Sequence, residues 1–323
     1  MKSAPLTGKT VLKDRRLLEE LASEIRREVA GRCLLGEPLA KHTSLRVGGP
    51  ARLFVYPADI DAASSLLQLC RYRELETFII GYGTNLLVSD DGYSGCIIDL
   101  ADACREVAVE GDRLEAGAGV WLNDVVKIAA DNGLAGLEKL AGIPGGIGGG
   151  LSMNCGAFGA TISDNLIDLF VMDMNGSVIR MSKDNVSFTY RRAPGLVGKT
   201  VLKAGFRMTF AAPEDVIRVV EETVTERFRR NVMSLPSAGS VFKNPPGHFA
   251  ARLVEAAQGK GMSVGGVEVS ELHANFIVNR RGGTASDIIE LIRRLRRLVR
   301  QHYGIELELE LRTIGFKDGP EID

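Results

Sequence analysis

Ala141 to Ala160 reads Ala-Gly-Ile-Pro-Gly-Gly-Ile-Gly-Gly-Gly-Leu-Ser-Met-Asn-Cys-Gly-Ala-Phe-Gly-Ala, and eight of these twenty positions are glycine. Ile143, Ile147, Leu151, Met153 and Phe158 interleave apolar anchors, so the stretch is not low complexity. Glycine has no Cβ, takes positive φ and lets backbone approach a ligand closely. Successive N–H groups in such turns form anion-binding concavities suited to a pyrophosphate. The spacing is not Gly-x-Gly-x-x-Gly between a strand and a helix, so a Rossmann dinucleotide site is not indicated. A second stretch asks for the same ligand. The β-type run Thr77–Ile80 empties into Gly81-Tyr-Gly-Thr-Asn-Leu-Leu87, which offers backbone N–H groups, a hydroxyl and an amide. Taken together, the two stretches predict one long phosphate-containing cofactor held from two sides.

Three further positions carry side chains suited to act on a bound molecule. Arg191 follows Tyr190 and offers a planar fork that matches a carboxylate or phosphate and stays charged at any working pH. Ser240 lies in Pro236-Ser-Ala-Gly-Ser-Val-Phe-Lys-Asn-Pro-Pro246, where small residues lead into a Phe-Lys-Asn-Pro turn. No Gly-x-Ser-x-Gly elbow surrounds it, which argues against an acyl nucleophile and leaves a hydroxyl able to donate a proton. In Ile305–Gly315, Ile305, Leu307, Leu309 and Leu311 share one face of a strand and Glu306, Glu308, Glu310 and Arg312 the other. Alternation alone establishes a half-buried strand and does not choose among the three carboxylates.

The elements that must position these residues follow from periodicity. Leu17, Leu18, Leu21, Ile25 and Val29 have helical spacing. Asp59 is placed to cap a helix running to Tyr72, and the strand at 77–80 then completes a β-α-β unit within residues 40–100. Short strands are expected at Cys96–Leu100 and Arg113–Gly117, and a helix at Trp121–Asn132 ending at Gly133. Asn175–Gly176 predicts a hairpin between Leu166–Met174 and Val178–Met181. Val201–Phe210 reads as a strand and Glu214–Val232 as a helix. Beyond it come a loop (234–246), a helix (250–258), a strand (274–279), a helix (286–303) and a strand (305–314). Arg293, Arg294, Arg296, Arg297 and Arg300 on the 286–303 helix read as a solvated face, because no aromatics interleave them.

Composition bounds the rest. The 323 residues are 45% hydrophobic and 25% charged with a net charge of −1, which points to a globular chain and away from nucleic acid or membrane as the main partner. Cys33, Cys70, Cys96, Cys104 and Cys155 are irregularly spaced, and His42, His248, His273 and His302 are scattered. These read as thiols in a reducing compartment, with no metal cluster. The sequence Met1-Lys-Ser-Ala-Pro-Leu-Thr-Gly8 lacks the apolar core of a secretory leader, and no stretch approaches a membrane span, so a cytoplasmic protein is expected.

Five motifs occur in one order: Thr43-Ser-Leu-Arg-Val-Gly-Gly-Pro-Ala51, Gly81–Leu87, Ala141-Gly-Ile-Pro-Gly145 with Met153-Asn154, Pro236–Pro245 and Glu310-Leu-Arg-Thr-Ile-Gly315. Over roughly residues 40–315 the chain resembles the UDP-N-acetylenolpyruvoylglucosamine reductase (UDP-N-acetylmuramate dehydrogenase) family, in its shorter type without an extra substrate-domain insertion. The resemblance implies an α+β fold: a two-part FAD-binding region of the vanillyl-alcohol-oxidase type and a C-terminal α/β substrate domain. The implied boundaries are 1–100 (with a helical N-terminal extension), 101–212 and 213–323. It implies Arg191, Ser240 (the proton donor) and Glu310 as catalytic residues. Non-covalent FAD would be held by Arg46, Gly81, Tyr82, Gly83, Thr84, Asn85, Leu86, Gly142, Ile143, Pro144, Gly145, Gly148 and Asn154. Tyr190, Lys243, Asn244 and His273 would bind substrate.

The implied reaction is NADPH-dependent, FAD-mediated reduction of UDP-N-acetylglucosamine enolpyruvate to UDP-N-acetylmuramate in peptidoglycan precursor synthesis. Charge would build toward the substrate carboxylate, so Glu310 needs a proton or a cationic neighbour to avoid repelling it. The chain departs from the family in three places. Tyr190-Arg191-Arg192-Ala193 replaces the usual Tyr-Arg-x-Ser, Cys155 stands where alanine is common, and Gln258-Gly259 replaces Gly-Leu. Two other readings are weighed: an oxygen-using oxidase with flavin tethered through His42 or Cys155, and a binding module with a dead site. Retention of Arg191, Ser240 and Glu310 together argues against the second. The oligomeric state is left open, a monomer being compatible.

Overall fold

The computed structural model describes residues 15–230 and 235–316. The chain divides into two compact units that are interleaved in sequence. The first takes in residues up to Leu35, Arg52–Gly81 and Ser94–Glu226; the second takes in Gly36–Ala51, Tyr82–Tyr93 and residues from Arg227 on.

In the first unit, the helix Arg15–Glu28 buries Leu21, Ala22 and Ile25, the stripe that its apolar spacing specifies. A four-stranded sheet has the order Gly31–Pro38, Pro50–Pro57, Tyr93–Asp99, Thr77–Ile80. Its last two strands are parallel, with Thr77 opposite Cys96 and Ile80 opposite Asp99. The helix Ile60–Tyr72 connects Pro50–Pro57 to Thr77–Ile80, and the Asp59 carboxylate accepts the Ala62 N–H at 2.7 Å as its cap. Leu53, Leu66, Cys70, Cys96 and Ile98 close this core, each fully buried. Burial pushes the thiol of Cys104 up to about 11, so it is not a reactive thiolate at neutral pH.

A five-stranded antiparallel sheet follows, in the order Val178–Ser182, Leu166–Asp173, Lys199–Arg207, Arg113–Gly117, Val107–Glu110. The expected hairpin joins its first two strands. Gly176 takes φ 81°, and Asp173 accepts the N–H groups of Asn175 and Ser177 at 2.8 and 2.9 Å. The helix Leu122–Asp131 lays Val125, Val126 and Ala129 into a cluster with Leu114, Leu151, Leu169 and Phe206.

The second unit has an antiparallel sheet of order Ser237–Ser240, Phe276–Asn279, Val267–Val269, Ser263–Val264. The helix Ala285–Tyr303 supplies Ile288, Leu291, Ile292, Leu295 and Val299 to its core. Thr284 and Asp287 form a reciprocal capping box at its start, and Gly304 closes its end at φ 66°. The arginines at 293, 294, 297 and 300 lie on its exposed face.

Two expectations are corrected here. Ser237–Ser240 is a strand, not a loop, because its main chain pairs with Phe276–Asn279 despite its poor β-formers. Residues 305–314 are not one strand: Arg312–Ile314 pairs in parallel with Leu86–Val88, and Leu309 makes a single bridge to Phe242.

Asp90 ties the 82–93 segment to the long helix. Its carboxylate accepts the N–H groups of Ala285 and Ser286 at 2.8 and 2.9 Å and the Ser286 hydroxyl at 2.6 Å. An anion at a helix start also meets the favourable end of the helix dipole. Asp90→Ala should therefore cost about 1–2 kcal/mol, the range of a lost helix cap. Urea unfolding checks this, and an unchanged midpoint would remove the tether from the account.

Candidate active site

The glycine stretch belongs to the first unit, and the protein itself shapes it. The Gly142 N–H donates to the Asn123 side-chain oxygen at 2.6 Å, and the Gly148 N–H to the Ala118 carbonyl at 2.9 Å. The Leu122 N–H donates to the Gly145 carbonyl, and Trp121 bridges Gly146. Gly142 and Gly145 take φ 76° and 130°, backbone open to glycine and to few other residues. A Cβ on Gly148 would lie 2.8 Å from that of Ala118, whereas one on Gly149 would meet nothing within 4 Å. The N–H groups of Gly145, Gly146 and Gly149 have no acceptor among the described residues. Part of the stretch is thus internal scaffolding, and part keeps donors to offer, with Gly149 exposed and Gly146 buried.

Arg191 lies in the same unit, on a tight turn in which Thr189 and Arg192 exchange main-chain hydrogen bonds at 2.9 and 3.2 Å. Its φ is 55°, and its guanidinium lies 5.4 Å from the centroid of the Tyr190 ring. Asn154 reaches this turn from the end of the glycine stretch, its amide donating to the Thr189 carbonyl at 3.0 Å. Asn154 is itself strained, at φ 43°, and its side-chain oxygen is buried without a hydrogen-bond partner. Among the described residues, six non-glycine residues have positive φ, and three of them, Arg46, Asn154 and Arg191, are expected site residues. Strain of this kind concentrates where function fixes the backbone. Ala193, in place of the family's usual serine, is buried in the apolar cluster of this unit.

The second unit holds Ser240, Lys243, Asn244, His273, Glu310, Arg46 and Tyr82–Leu86. Ser240 ends a strand opposite Phe276. The next residue, Val241, accepts the Glu310 N–H at 2.8 Å, and the Lys243 N–H donates to the Glu308 carbonyl at 2.9 Å. These bonds set the serine segment beside the carboxylate segment. Glu310 is half-buried, whereas Glu306 and Glu308 are exposed, and Glu308 is ion-paired to Lys243. The Asn244 side chain accepts the Ala250 N–H at 3.0 Å, at the start of a helix.

The loop Tyr82–Leu86 is fixed where Gly83 sits. Its carbonyl accepts the Ser44 N–H at 3.2 Å, and at φ 60° a Cβ would stand 1.9 Å from the His42 carbonyl oxygen. Only glycine fits there. His273 stands edge-on to Phe276 at 4.6 Å, and its Nδ1 accepts the Asn275 N–H at 3.3 Å. Burial lowers its pKa, so the ring is neutral near pH 7 and its Nε2 carries the proton.

Sequence reasoning missed Asn275, Asn279 and Asn123. Asn275 is buried at 4% exposure; its amide donates to the Phe242 carbonyl at 2.8 Å and its oxygen accepts the Phe242 N–H at 2.9 Å. Its main-chain carbonyl takes the Val241 N–H at 2.9 Å, so this residue holds the chain just after Ser240. Asn279 donates to the Leu45 carbonyl at 3.0 Å, beside Arg46. The signal was present: two asparagines interrupt the apolar run Ala274–Asn279.

Asn275→Ala leaves a buried N–H and a buried C=O without partners. It should cost about 2–6 kcal/mol, since each such group costs roughly 1–3 kcal/mol. Urea unfolding is the check, and a loss below about 1 kcal/mol would mean that water replaces the amide.

Against known proteins, residues 51–182 match the model of an FAD binding domain, and residues 229–314 match that of the UDP-N-acetylenolpyruvoylglucosamine reductase C-terminal domain. The UDP-N-acetylenolpyruvoylglucosamine reductase of Geobacter metallireducens is 40% identical over 92% of this chain and 99% of its own length. That of Bacillus subtilis is 33% identical over 92% and 99%. The crystal structure of UDP-N-acetylenolpyruvylglucosamine reductase from Thermus caldophilus is similar with a TM-score of 0.76 and 32% identity, over 88% of this chain and 99% of that one.

Proposed function

The chain belongs to the UDP-N-acetylenolpyruvoylglucosamine reductase family, and we propose that Arg191, Ser240 and Glu310 are its catalytic residues. It is an FAD-dependent oxidoreductase, a UDP-N-acetylmuramate dehydrogenase, that reduces UDP-N-acetylglucosamine enolpyruvate in peptidoglycan precursor synthesis. Its partners are small molecules. No helix of the described residues is long and apolar enough to cross a membrane; a cytoplasmic location is part of the proposal.

The residues present fit FAD. The N–H groups of Gly145, Gly146 and Gly149 that have no acceptor among the described residues, the open space over Gly149 and the unpartnered oxygen of Asn154 are what a pyrophosphate-containing ligand with further hydroxyls and ring nitrogens would use. Arg46, Gly81–Leu86, Gly142–Gly145, Gly148 and Asn154 would hold it non-covalently. When bound, FAD supplies the hydride chemistry, with NADPH as its proposed reductant.

The protein's own groups then do the following. As the terminal carbon of the enolpyruvyl group is reduced, negative charge develops on the adjacent carbon and its carboxylate. The Arg191 guanidinium would bind and polarise that carboxylate. Glu310 would orient the same end, and the serine hydroxyl would deliver the proton that completes the lactyl group. Tyr190, Lys243, Asn244 and His273 would bind the rest of the substrate. For the pair in the second unit, the supporting observation is the 2.8 Å hydrogen bond from the Glu310 N–H to the Val241 carbonyl, one residue after Ser240.

Purified protein supplied with NADPH should turn over only when UDP-N-acetylglucosamine enolpyruvate is present. Ser240→Ala should leave reduction of the flavin by NADPH nearly intact and slow its reoxidation by substrate on the order of 10²–10⁴-fold, the range of general acid catalysis. Stopped-flow absorbance reads both halves. Equal slowing of both, or fast reoxidation, would make the serine a structural residue only.

A second experiment separates the three carboxylates. Glu310→Gln should lower kcat by about 10²-fold or more, as removal of a group acting on developing charge does. Glu306→Gln and Glu308→Gln, both on exposed side chains, should change it little. Comparable losses in all three would overturn the assignment.

A further inference from the structure

Glu310 has its main chain held from two directions. Its N–H donates to the Val241 carbonyl at 2.8 Å, and its carbonyl accepts the side-chain amide of Asn85 at 3.0 Å. The Asn85 carbonyl in turn accepts the Arg312 N–H at 3.1 Å, and Leu86–Val88 continues in parallel register with Arg312–Ile314. Asn85 thus contacts both flanks of one peptide segment, through side chain and through backbone. It lies two residues beyond Gly83, which is pinned against His42–Ser44 with no room for a Cβ. The donor therefore projects from a fixed point, and all of these residues belong to the second unit.

We propose that Asn85 is a positioning residue: its side chain sets the backbone of Glu310, while cofactor contacts from the same loop are made by main-chain N–H groups. The idea rests on the reading of Glu310 as catalytic. One N–H of the Asn85 amide, at 3.0 Å, is taken up by the Glu310 carbonyl. Loss of that donor leaves the carbonyl half-buried and lets the carboxylate drift, and displacement of about 1 Å in a reacting constellation costs on the order of 10²-fold.

The test uses the FAD-loaded protein and three variants, Asn85→Ala, Asn85→Asp and Asn85→Ala in a Glu310→Gln background. Asn85→Ala should slow reoxidation by UDP-N-acetylglucosamine enolpyruvate between about tenfold and 100-fold. FAD affinity and the rate of reduction by NADPH should change little. Asn85→Asp should lose as much, because a carboxylate accepts hydrogen bonds and cannot donate one. In the Glu310→Gln background the loss should vanish, since the effect acts through that carboxylate. Deuterium exchange should rise in a peptide covering 307–314 and stay unchanged over the glycine stretch. The proposal is overturned if FAD affinity falls in step with reoxidation, if the double variant shows the full product of the two losses, or if exchange over 307–314 does not move. A wild-type protein that binds FAD and never transfers to the UDP-sugar overturns the functional reading instead, and the exchange comparison alone then decides the clamp.

Discussion

The second unit depends on how one extended segment, residues 307–314, satisfies its backbone. Leu307 and Leu311 are buried in the core, at 1% and 5% exposure, and Leu309 and Glu310 between them are half-buried, so much of this main chain needs partners within the protein. It finds partners on two sides: Val241–Lys243 take up residues 308–311, and Asn85–Val88 take up residues 310–314. Because the same bonds fix Glu310 relative to Ser240, satisfying the backbone and building the site are one requirement. A sheet edge left open there would cost stability and disperse the carboxylate. Buried Asn275 extends the logic by giving Phe242 a side-chain substitute for a strand neighbour.

How much of this could be read from the sequence follows the range of the interactions. Asp59 as a cap and Asn175–Gly176 as a turn were legible because the donor, the acceptor and the demanded φ lie within a few residues. The helix 285–303 was legible because its apolar stripe repeats over five turns. The strand at Ser237–Ser240 was not, since nothing in Ser-Ala-Gly-Ser prefers extended backbone and only its partner at 276–279 makes it one. The alternation in 305–314 correctly buried Leu307 and Leu311, yet it overstated the strand: alternation reports which side is wet, not which N–H is paired. Nor can position along the chain reveal that Gly36–Ala51 and Tyr82–Tyr93 fold with the residues after 227. Motif order named the residues proposed here to face a ligand. The asparagines that hold them, Asn123, Asn275 and Asn279, bond to backbone far away in sequence; the interrupted apolar run marks the last two, and nothing local names their partners.

Charge also explains why the proposed proton donor is a hydroxyl. The carbon to be protonated adjoins a carboxylate, and Glu310 adds a second one. An acidic side chain there would have to be held protonated against both, with its pKa raised by like charge. A serine is neutral at every working pH and brings a donor without a further charge. Its hydroxyl has no hydrogen-bond partner among the described residues, so it need not break one to reach a substrate. The cost is low intrinsic acidity, and that has to be met by lowering the barrier through the field on the developing charge, which is the part assigned to an always-ionised arginine.

That assignment places a burden on the turn carrying Arg191. A positive φ at a residue with a side chain is unfavourable, by about 1–2 kcal/mol per residue for the left-handed region, and the turn must be over-determined to keep it. In this chain the serine usual two positions on is Ala193, whose methyl is buried among apolar neighbours and can offer the turn no hydrogen bond. The turn is held by, among other contacts, the paired exchange between Thr189 and Arg192 and the amide of Asn154 on the Thr189 carbonyl. Asn154 is strained as well, so two unfavourable conformations support one another through one hydrogen bond. Neither would persist without the other, unless the glycine stretch that ends at Asn154 were itself rigid. It is, because Asn123, Ala118 and Trp121 fix Gly142, Gly148 and Gly146 from behind. The internally bonded glycines therefore have a use apart from any ligand: they are the footing on which the arginine turn is held.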